Sequence, residues 1–223
     1  MKPKNKVVKI IFNLKNRSQN LIKYLSLLSD ENQKNICFDL LIINEKSTKV
    51  LNRNFNKINI INIISYGKLV GMNDIFKEIY NARTILKKYK YCCFVEDDNF
   101  IFPISLLDSK LFLDSNSDYI ACSGKSFIYT SWSKKQYVYL NKYLLPNTNE
   151  SYILEKRYSN YNGALCYYCL FRKEVFLKIL SFITKIEDDN LSEVFFNFLT
   201  IKFGKIKQIR STYLARKYPR PRV

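Results

Sequence analysis

The run CFDLLIIN at 37–44 is apolar almost without a break. A strand wetted on one side alternates apolar with polar residues, so a run like this fits a strand covered on both faces. Helices must then flank a sheet whose strands run parallel. KVVKIIFNL at 6–14 reads as a first strand, and in the following QNLIKYLSLLSD apolar residues at 21, 22, 24, 25, 27 and 28 recur at helical spacing. INIINIIS at 58–65 reads as a third strand. From there NDIFKEIYNARTILKKYK places Ile75, Phe76, Ile79 and Tyr80 on one helical face, with Asn73 as N-cap and Lys87, Lys88 and Lys90 near the C-terminal end. YCCFV at 91–95 is the next strand.

The second half is more mixed. DYIACSG and KSFIYTSW read as separate strands, 141–163 as a polar loop, and ALCYYCLF as strand-like. RKEVFLKILSFI and LSEVFFNFL read as helices, and KIKQIRSTYLA as a closing strand before the basic tail RKYPRPRV. No repeat or low-complexity linker divides the chain, and 223 residues suffice for one substantial core. The expectation is a single α/β domain over 1–223, a Rossmann-type three-layer sandwich with a mostly parallel central sheet.

The chain carries 37 Lys+Arg against 19 Asp+Glu, a formal charge of +18 that favours an anionic partner. Its 47% hydrophobic content is that of an ordered protein. No stretch approaches the ~20 apolar residues of a membrane span, and the N-terminus lacks a signal-peptide core, which predicts a soluble cytoplasmic protein. The tail over 216–223 would let it touch an anionic membrane at the inner face. The cysteines mostly lie in apolar runs, and CYYC at 166–169 has neither a second pair nor a His to complete a zinc site.

Against this positive background, Glu96, Asp97 and Asp98 stand together directly after the strand at 91–95. Adjacent carboxylates repel unless a cation or hydrogen-bond donors answer them. The carboxyl end of a strand in an open α/β sheet is where ligand sites are built, and oxygen ligands suit Mg²⁺ or Mn²⁺. Residues alternate along an extended segment, so Glu96 and Asp98 can share a metal while Asp97 faces elsewhere. The plainer alternative is a solvated acidic turn. A second cluster, IEDDNLSEV, holds Glu187, Asp188, Asp189 and Glu193. Asn190 and Glu193 have the spacing of a capping box, and acids favour helix N-termini, so capping accounts for part of it.

In order, these pieces resemble the family-2-like glycosyltransferases of the GT-A fold over most of the chain. IIFNLKNRSQNLIKYLSLL resembles the family's opening strand, Arg-bearing turn and Leu-rich helix. LIINEKST resembles the second-strand motif Val-Asp-Asp-Gly-Ser, with Asn44 where the base-contacting Asp is expected. The stretch ending in EDDN resembles the helix and strand leading to the DxD motif, with Glu96 and Asp98 on its two acids. YNGALCYYCLFRKEVFLKIL resembles the acceptor-side segment and brings Gly163, Arg172 and Lys173. EDDNLSEV resembles the Glu-Asp motif that supplies the catalytic base, so Asp188 inherits that role, and GKIKQI suits the closing strand. The chain departs from the pattern in Glu96, in Asn44 and in having no His, and Arg216 or Lys217 lies where a cation can stand in for the metal's third contact.

The resemblance implies a nucleotide-binding half over 1–100 and an acceptor-binding half over 101–223. It implies transfer of a sugar from a nucleotide-diphosphate donor to an acceptor hydroxyl on a glycan or lipid-linked molecule, with inversion, in surface glycan or glycoconjugate synthesis. Mg²⁺ or Mn²⁺ would sit on Glu96 and Asp98, donor contacts would come from Arg17, Asn44, Lys46, Asp97 and Asp98, and acceptor contacts from Gly163 and Arg172. Tyr158, Tyr161 and Trp132 are candidates for stacking on sugar. Two other readings remain open. One is a nucleic-acid-binding or metal-dependent nuclease module drawing on the positive charge, against which the central acids argue; the other is an inactive GT-A-like partner protein.

Overall fold

The computed structural model describes residues 7–14, 18–29, 38–45, 59–65, 69–130, 137–141, 145–146 and 148–217. In chain order these form β1 (Val7–Asn13), α1 (Ser18–Ser29), β2 (Phe38–Asn44), β3 (Ile60–Ile64), α2 (Met72–Asn81), α3 (Arg83–Leu86), β4 (Tyr91–Phe94) and β5 (Phe100–Ile101). Then follow α4 (Pro103–Ser115), β6 (Tyr119–Thr130), β7 (Tyr137–Asn141), α5 (Leu154–Ser159), β8 (Leu170–Arg172), α6 (Lys173–Ile183), α7 (Asp189–Phe203) and β9 (Lys205–Lys217).

One sheet runs through the molecule in the order β3-β2-β1-β4-β8-β6-β9-β5, with β7 added to β6. β1 pairs parallel with β2 and with β4, and β2 with β3. Every residue of β1 and β2 is buried, as their unbroken apolar character requires. Beyond β4 the pairing changes: β8 is antiparallel to β4 and to β6, while β6 and β9 are parallel to each other. Two reversals return β6 and β9 to the direction of β4, so β9 ends on the same edge of the sheet as β1 to β4.

The expected three-layer α/β sandwich is what forms. On one face Phe171 of β8 meets Phe176 of α6 and Phe196 of α7, and Phe196 stacks on Phe76 of α2 at 5.1 Å. On the other, the buried Lys9 of β1 directs its ammonium at the ring of Tyr24 in α1, 4.8 Å away, and donates to the Ile101 carbonyl at 2.9 Å. α4 covers the same face further along, against β6 and β9. An ammonium in the interior is tolerable because that carbonyl and the π faces of Tyr24, Phe38 and Phe100 surround it.

Several local expectations change. Over Tyr119–Thr130 the stretches read as two strands form one, β6, with register shifts against β9. At its middle a Cβ on Gly124 would lie 2.3 Å from the Ser211 carbonyl, so glycine joins what reads as two strands by letting two backbones pass closely. ALCYYCLF is mostly a buried 3-10 turn at Cys166–Tyr168, and only Leu170–Arg172 joins the sheet. The loop expected at 141–163 contains α5. α2 starts at Met72 after Gly71, without a side-chain cap from Asn73. That start is instead capped by another helix: the Asn73 amide donates to Asp189 Oδ1 at 2.8 Å, and Asn73 Nδ2 donates to the Glu187 carbonyl.

Candidate active site

The carboxyl edge of the parallel strands carries polar tips where the interior is apolar. Asn13, Asn44 and Asn62 form an amide ladder across β1, β2 and β3: Asn13 Nδ2 donates to Asn44 Oδ1 at 2.9 Å, and Asn44 Nδ2 donates to Asn62 Oδ1 at 3.2 Å and to the Ile63 carbonyl at 3.1 Å. Asn44 is thus fully buried with its amide turned into the sheet, tying the strand ends together. Arg17, Lys46 and Trp132 lie outside the described residues.

β4 leaves this edge into the acidic turn. Where an extended segment with Glu96 and Asp98 pointing the same way was expected, the chain turns tightly, the Asn99 amide donating to the Glu96 carbonyl at 3.2 Å, and the three carboxylates separate to do different work. Asp97 is buried, 5% exposed, and accepts from Asn20 Nδ2 of α1 at 3.3 Å, which anchors the turn to the helix behind it. Glu96 is half-buried on the α7 side, where its Oε2 accepts from the Tyr168 hydroxyl and from Asn99 Nδ2, each at 2.5 Å. Asp98 is half-buried on the α1 side, beside Lys23, Tyr129 and Lys217 in a cavity of about 260 Å³. The Tyr129 hydroxyl donates to the Asp98 carbonyl, which fixes the turn's backbone.

The answering positive charge comes from the far end of the chain. Phe100 pairs with Ala215 in the antiparallel β5–β9 ladder, so the register brings Arg216 and Lys217 back alongside Asn99 and Asp98. The Lys217 amide donates to Asn99 Oδ1 at 3.2 Å. Burial works against the Arg216 charge, but its neighbours Tyr168 and Tyr167 and the carboxylates of Glu96 and Asp98 more than offset that and raise its pKa. Arg216 therefore stands as a cation beside the acids.

α7 contributes next. The expected capping box at Asn190 and Glu193 is not the cap: Asp188 is, its Oδ1 accepting from the Leu191 amide at 2.8 Å. A helix caps on the residue that precedes its first turn, and α7 begins at Asp189, two residues earlier than the box requires. Asp188 is exposed, with one carboxylate oxygen committed to this bond. Glu193 is freed from capping and lies on the inward face, in register with Asp189, Phe196 and Asn197, whose contacts with Asn73, Phe76 and the Cys166 amide orient that face. Burial first, and then the negative charge of Glu96, raise the Glu193 pKa above the ordinary carboxylate value, while Arg216 and a hydrogen bond with Tyr167 oppose the rise. Sequence spacing hid this residue because a capping box accounted for it; the signal that would have found it is the i, i+3, i+4 inward face it shares with Phe196 and Asn197.

Other expected residues are placed elsewhere. β8 runs against β4, so Arg172 lies opposite Tyr91 on the amino edge, away from the acids. Its guanidinium donates to the carbonyls of Tyr119, Leu113 and Asn116 at 2.6–2.8 Å and closes the C-terminal end of α4. Gly163 adopts φ 72 in the turn after α5, a left-handed conformation that suits glycine, and a Cβ there would meet nothing within 4 Å. Tyr158 stacks on Phe198 at 4.3 Å, and the Tyr161 hydroxyl donates to the Ala164 carbonyl. The five described cysteines are buried free thiols, and burial pushes Cys122 up to about 12, so these thiols act as apolar filling.

No family model matches the chain, and no curated protein matches it. Its fold is similar to that of Staphylococcus aureus TarS, a glycosyltransferase. Against residues 1–349 of TarS the TM-score is 0.62 at 14% identity, covering 95% of this chain and 60% of that one. For the complex of the same piece with UDP-GlcNAc the TM-score is 0.60 at 15% identity, covering 96% and 59%. A longer TarS structure gives 0.58 at 16% identity, with 37% of it covered. The chain thus spans about 60% or less of the length of these structures, and the likeness establishes a glycosyltransferase-like fold.

Proposed function

We propose that this protein transfers a sugar from a nucleotide-diphosphate donor to an acceptor hydroxyl. The observation that carries the proposal is the pairing of Glu96 and Asp98, at the carboxyl end of β4, with Arg216 returning from β9 beside them. A cation and two carboxylates at a strand-end edge suit a substrate whose charge grows on a leaving diphosphate. Structures of TarS hold UDP-GlcNAc and UDP, and this chain has its fold, which supports a nucleotide sugar as the donor.

The donor set fits a divalent cation. Glu96 and Asp98 are hard oxygen ligands that face different sides of the turn, and among the described residues no group of three Asp, Glu, His or Cys is gathered, so a cation would be held by one of these carboxylates with substrate and water oxygens as the remaining ligands, as Mg²⁺ and Mn²⁺ accept. Bound there, such an ion supplies charge neutralisation at the leaving diphosphate. Arg216 contributes part of the same charge permanently, and Tyr168 and Asn99 hold Glu96 in place. A carboxylate at the head of α7 takes the acceptor's proton, and a single displacement inverts the anomeric carbon. Glycan or lipid-linked acceptors fit the reading, with the basic tail resting on an anionic leaflet where such acceptors reside. No helix among the described residues is long and apolar enough to cross a membrane.

The test is a panel of UDP- and GDP-sugars, with and without Mn²⁺, read by thermal shift and by donor hydrolysis. One donor at about 100 times its Kd should stabilise the protein by about 2.7 kcal/mol. Asp98→Asn should lower turnover by at least about 100-fold, the loss of a few kcal/mol of charge stabilisation, without lowering the melting temperature. A shift given only by oligonucleotides and abolished by salt would instead mark a nucleic-acid-binding protein.

A further inference from the structure

We infer that Glu193 is the general base of the proposed transfer, the role that the motif resemblance gives to Asp188. The inference rests on the reading of the protein as a sugar transferase and deepens it. Three placements carry it.

Asp188 is exposed and holds the head of α7 through its bond to the Leu191 amide, so its carboxylate belongs to the helix terminus. Asp189, one residue on, holds α2 through the Asn73 amide. Glu193 follows one turn later on the face that Phe196 and Asn197 press into the molecule, and it is half-buried there beside Tyr167. Tyr167 packs on Tyr168 at 4.6 Å, and the Tyr168 hydroxyl binds Glu96, so a continuous line of side chains joins Glu193 to the acidic turn. Arg216 is within electrostatic reach of both carboxylates. Of the acids in IEDDNLSEV, Glu193 is thus the one aimed at the edge where a diphosphate would sit.

In the step itself the acceptor O–H bond breaks as its oxygen attacks the anomeric carbon. The proton goes to the Glu193 carboxylate, making it a carboxylic acid. The bond from the anomeric carbon to the phosphate oxygen breaks, and its electron pair leaves on the diphosphate beside Arg216. Charge is conserved: one negative charge passes from Glu193 to the leaving group.

The experiment compares the full chain with Glu193→Gln, Glu193→Ala and Asp188→Asn, measuring UDP affinity by calorimetry and hydrolysis of the UDP- or GDP-sugar that binds. Glu193→Gln should keep UDP affinity within about two-fold, because the base does not bind the leaving group, while turnover falls by about 10²- to 10⁴-fold. Added formate should restore part of the Glu193→Ala turnover, a rescue that a merely structural glutamate would not show. Asp188→Asn, whose amide oxygen can still accept from the Leu191 amide, should lose less turnover than Glu193→Gln and leave the melting temperature nearly unchanged. Glu193→Gln keeping wild-type turnover, or Glu193→Ala failing to respond to formate while Asp188→Asn loses more turnover, overturns the assignment. If the wild-type protein binds UDP, GDP and their sugars not at all, the transferase reading itself fails and takes the assignment with it.

Discussion

From β3 to β4 every pairing is parallel and every strand ends on one edge, whereas from β8 to β5 parallel and antiparallel neighbours mix and β6 passes β9 through register shifts. The first region builds its part of the site by repetition: β1 and β2 end on Asn13 and Asn44, Asn62 inside β3 bonds to the latter, and β4 runs into the acidic turn. The second builds its part by return, since β9 travels the width of the molecule to bring Arg216 beside Glu96 and Asp98, and α7 turns Glu193 toward them. The acids of one region and the cation of the other meet at the carboxyl edge. At the amino edge a different seam joins the same regions, in which Asp114 of α4 accepts from Lys110 at 2.8 Å, from the Tyr91 hydroxyl at 2.9 Å and from Lys90, while Arg172 closes the end of α4. The charges of the candidate site and the structural charges of this seam are thus kept on opposite edges of one sheet.

The strongest way to break this comparison is through the aromatic cluster that fastens α7 to α2. Phe196 is fully buried among Phe76, Phe171, Phe176 and Tyr167, and Phe196→Ala should cost about 3–5 kcal/mol in urea unfolding. A single transition would show that the regions unfold together; two transitions, with loss of near-UV signal from the second region first, would show them separable.

Arg172 sharpens the division between the edges. Removing its guanidinium strands the carbonyls of Leu113, Asn116 and Tyr119, so Arg172→Ala should destabilise by about 1–3 kcal/mol. Donor affinity should stay as in the wild type. A variant of normal stability with weakened acceptor binding would return Arg172 to the acceptor-binding role that the family resemblance implies.

The smallest effect comes from Asp114. Burial raises its pKa, but bonds from Lys110, Lys90 and Tyr91 outweigh that and hold it well below the usual carboxylate range. A depressed folded-state pKa contributes stability that is present above the unfolded carboxylate value of about 3.9 and lost as pH falls toward the folded one. Because the group is partly solvent-screened, Asp114→Asn should cost only about 0.2–1 kcal/mol at pH 7. The difference from wild type should narrow in urea melts taken at about pH 3, where the unfolded carboxylate is protonated.

Much of the first region was legible because its physics is local. An unbroken apolar run such as CFDLLIIN has few stable environments other than a doubly covered parallel strand, and the acids after YCCFV fall where such a strand must surface. The second region was not legible in the same way. DYIACSG and KSFIYTSW read as two strands because a glycine between them looks like a break, and only the close approach of β9 makes Gly124 a joining residue. Asn73 reads as a cap because a short polar residue opens an apolar period, yet its helix is capped by Asp189 from 116 residues along the chain.

The sequence by itself determined the layered α/β class, the parallel start of the sheet and the acidic turn at its edge, since hydrophobic periodicity and strand-end position are properties of consecutive residues. Only the tertiary structure decided which charges answer that turn. Arg216, Glu193 and Arg172 are ordinary charges along the chain, and strand direction, ladder register and helix face carry the first two to the acids and the third to the opposite edge. Those are relations between residues far apart in sequence, settled by how the sheet orders its strands.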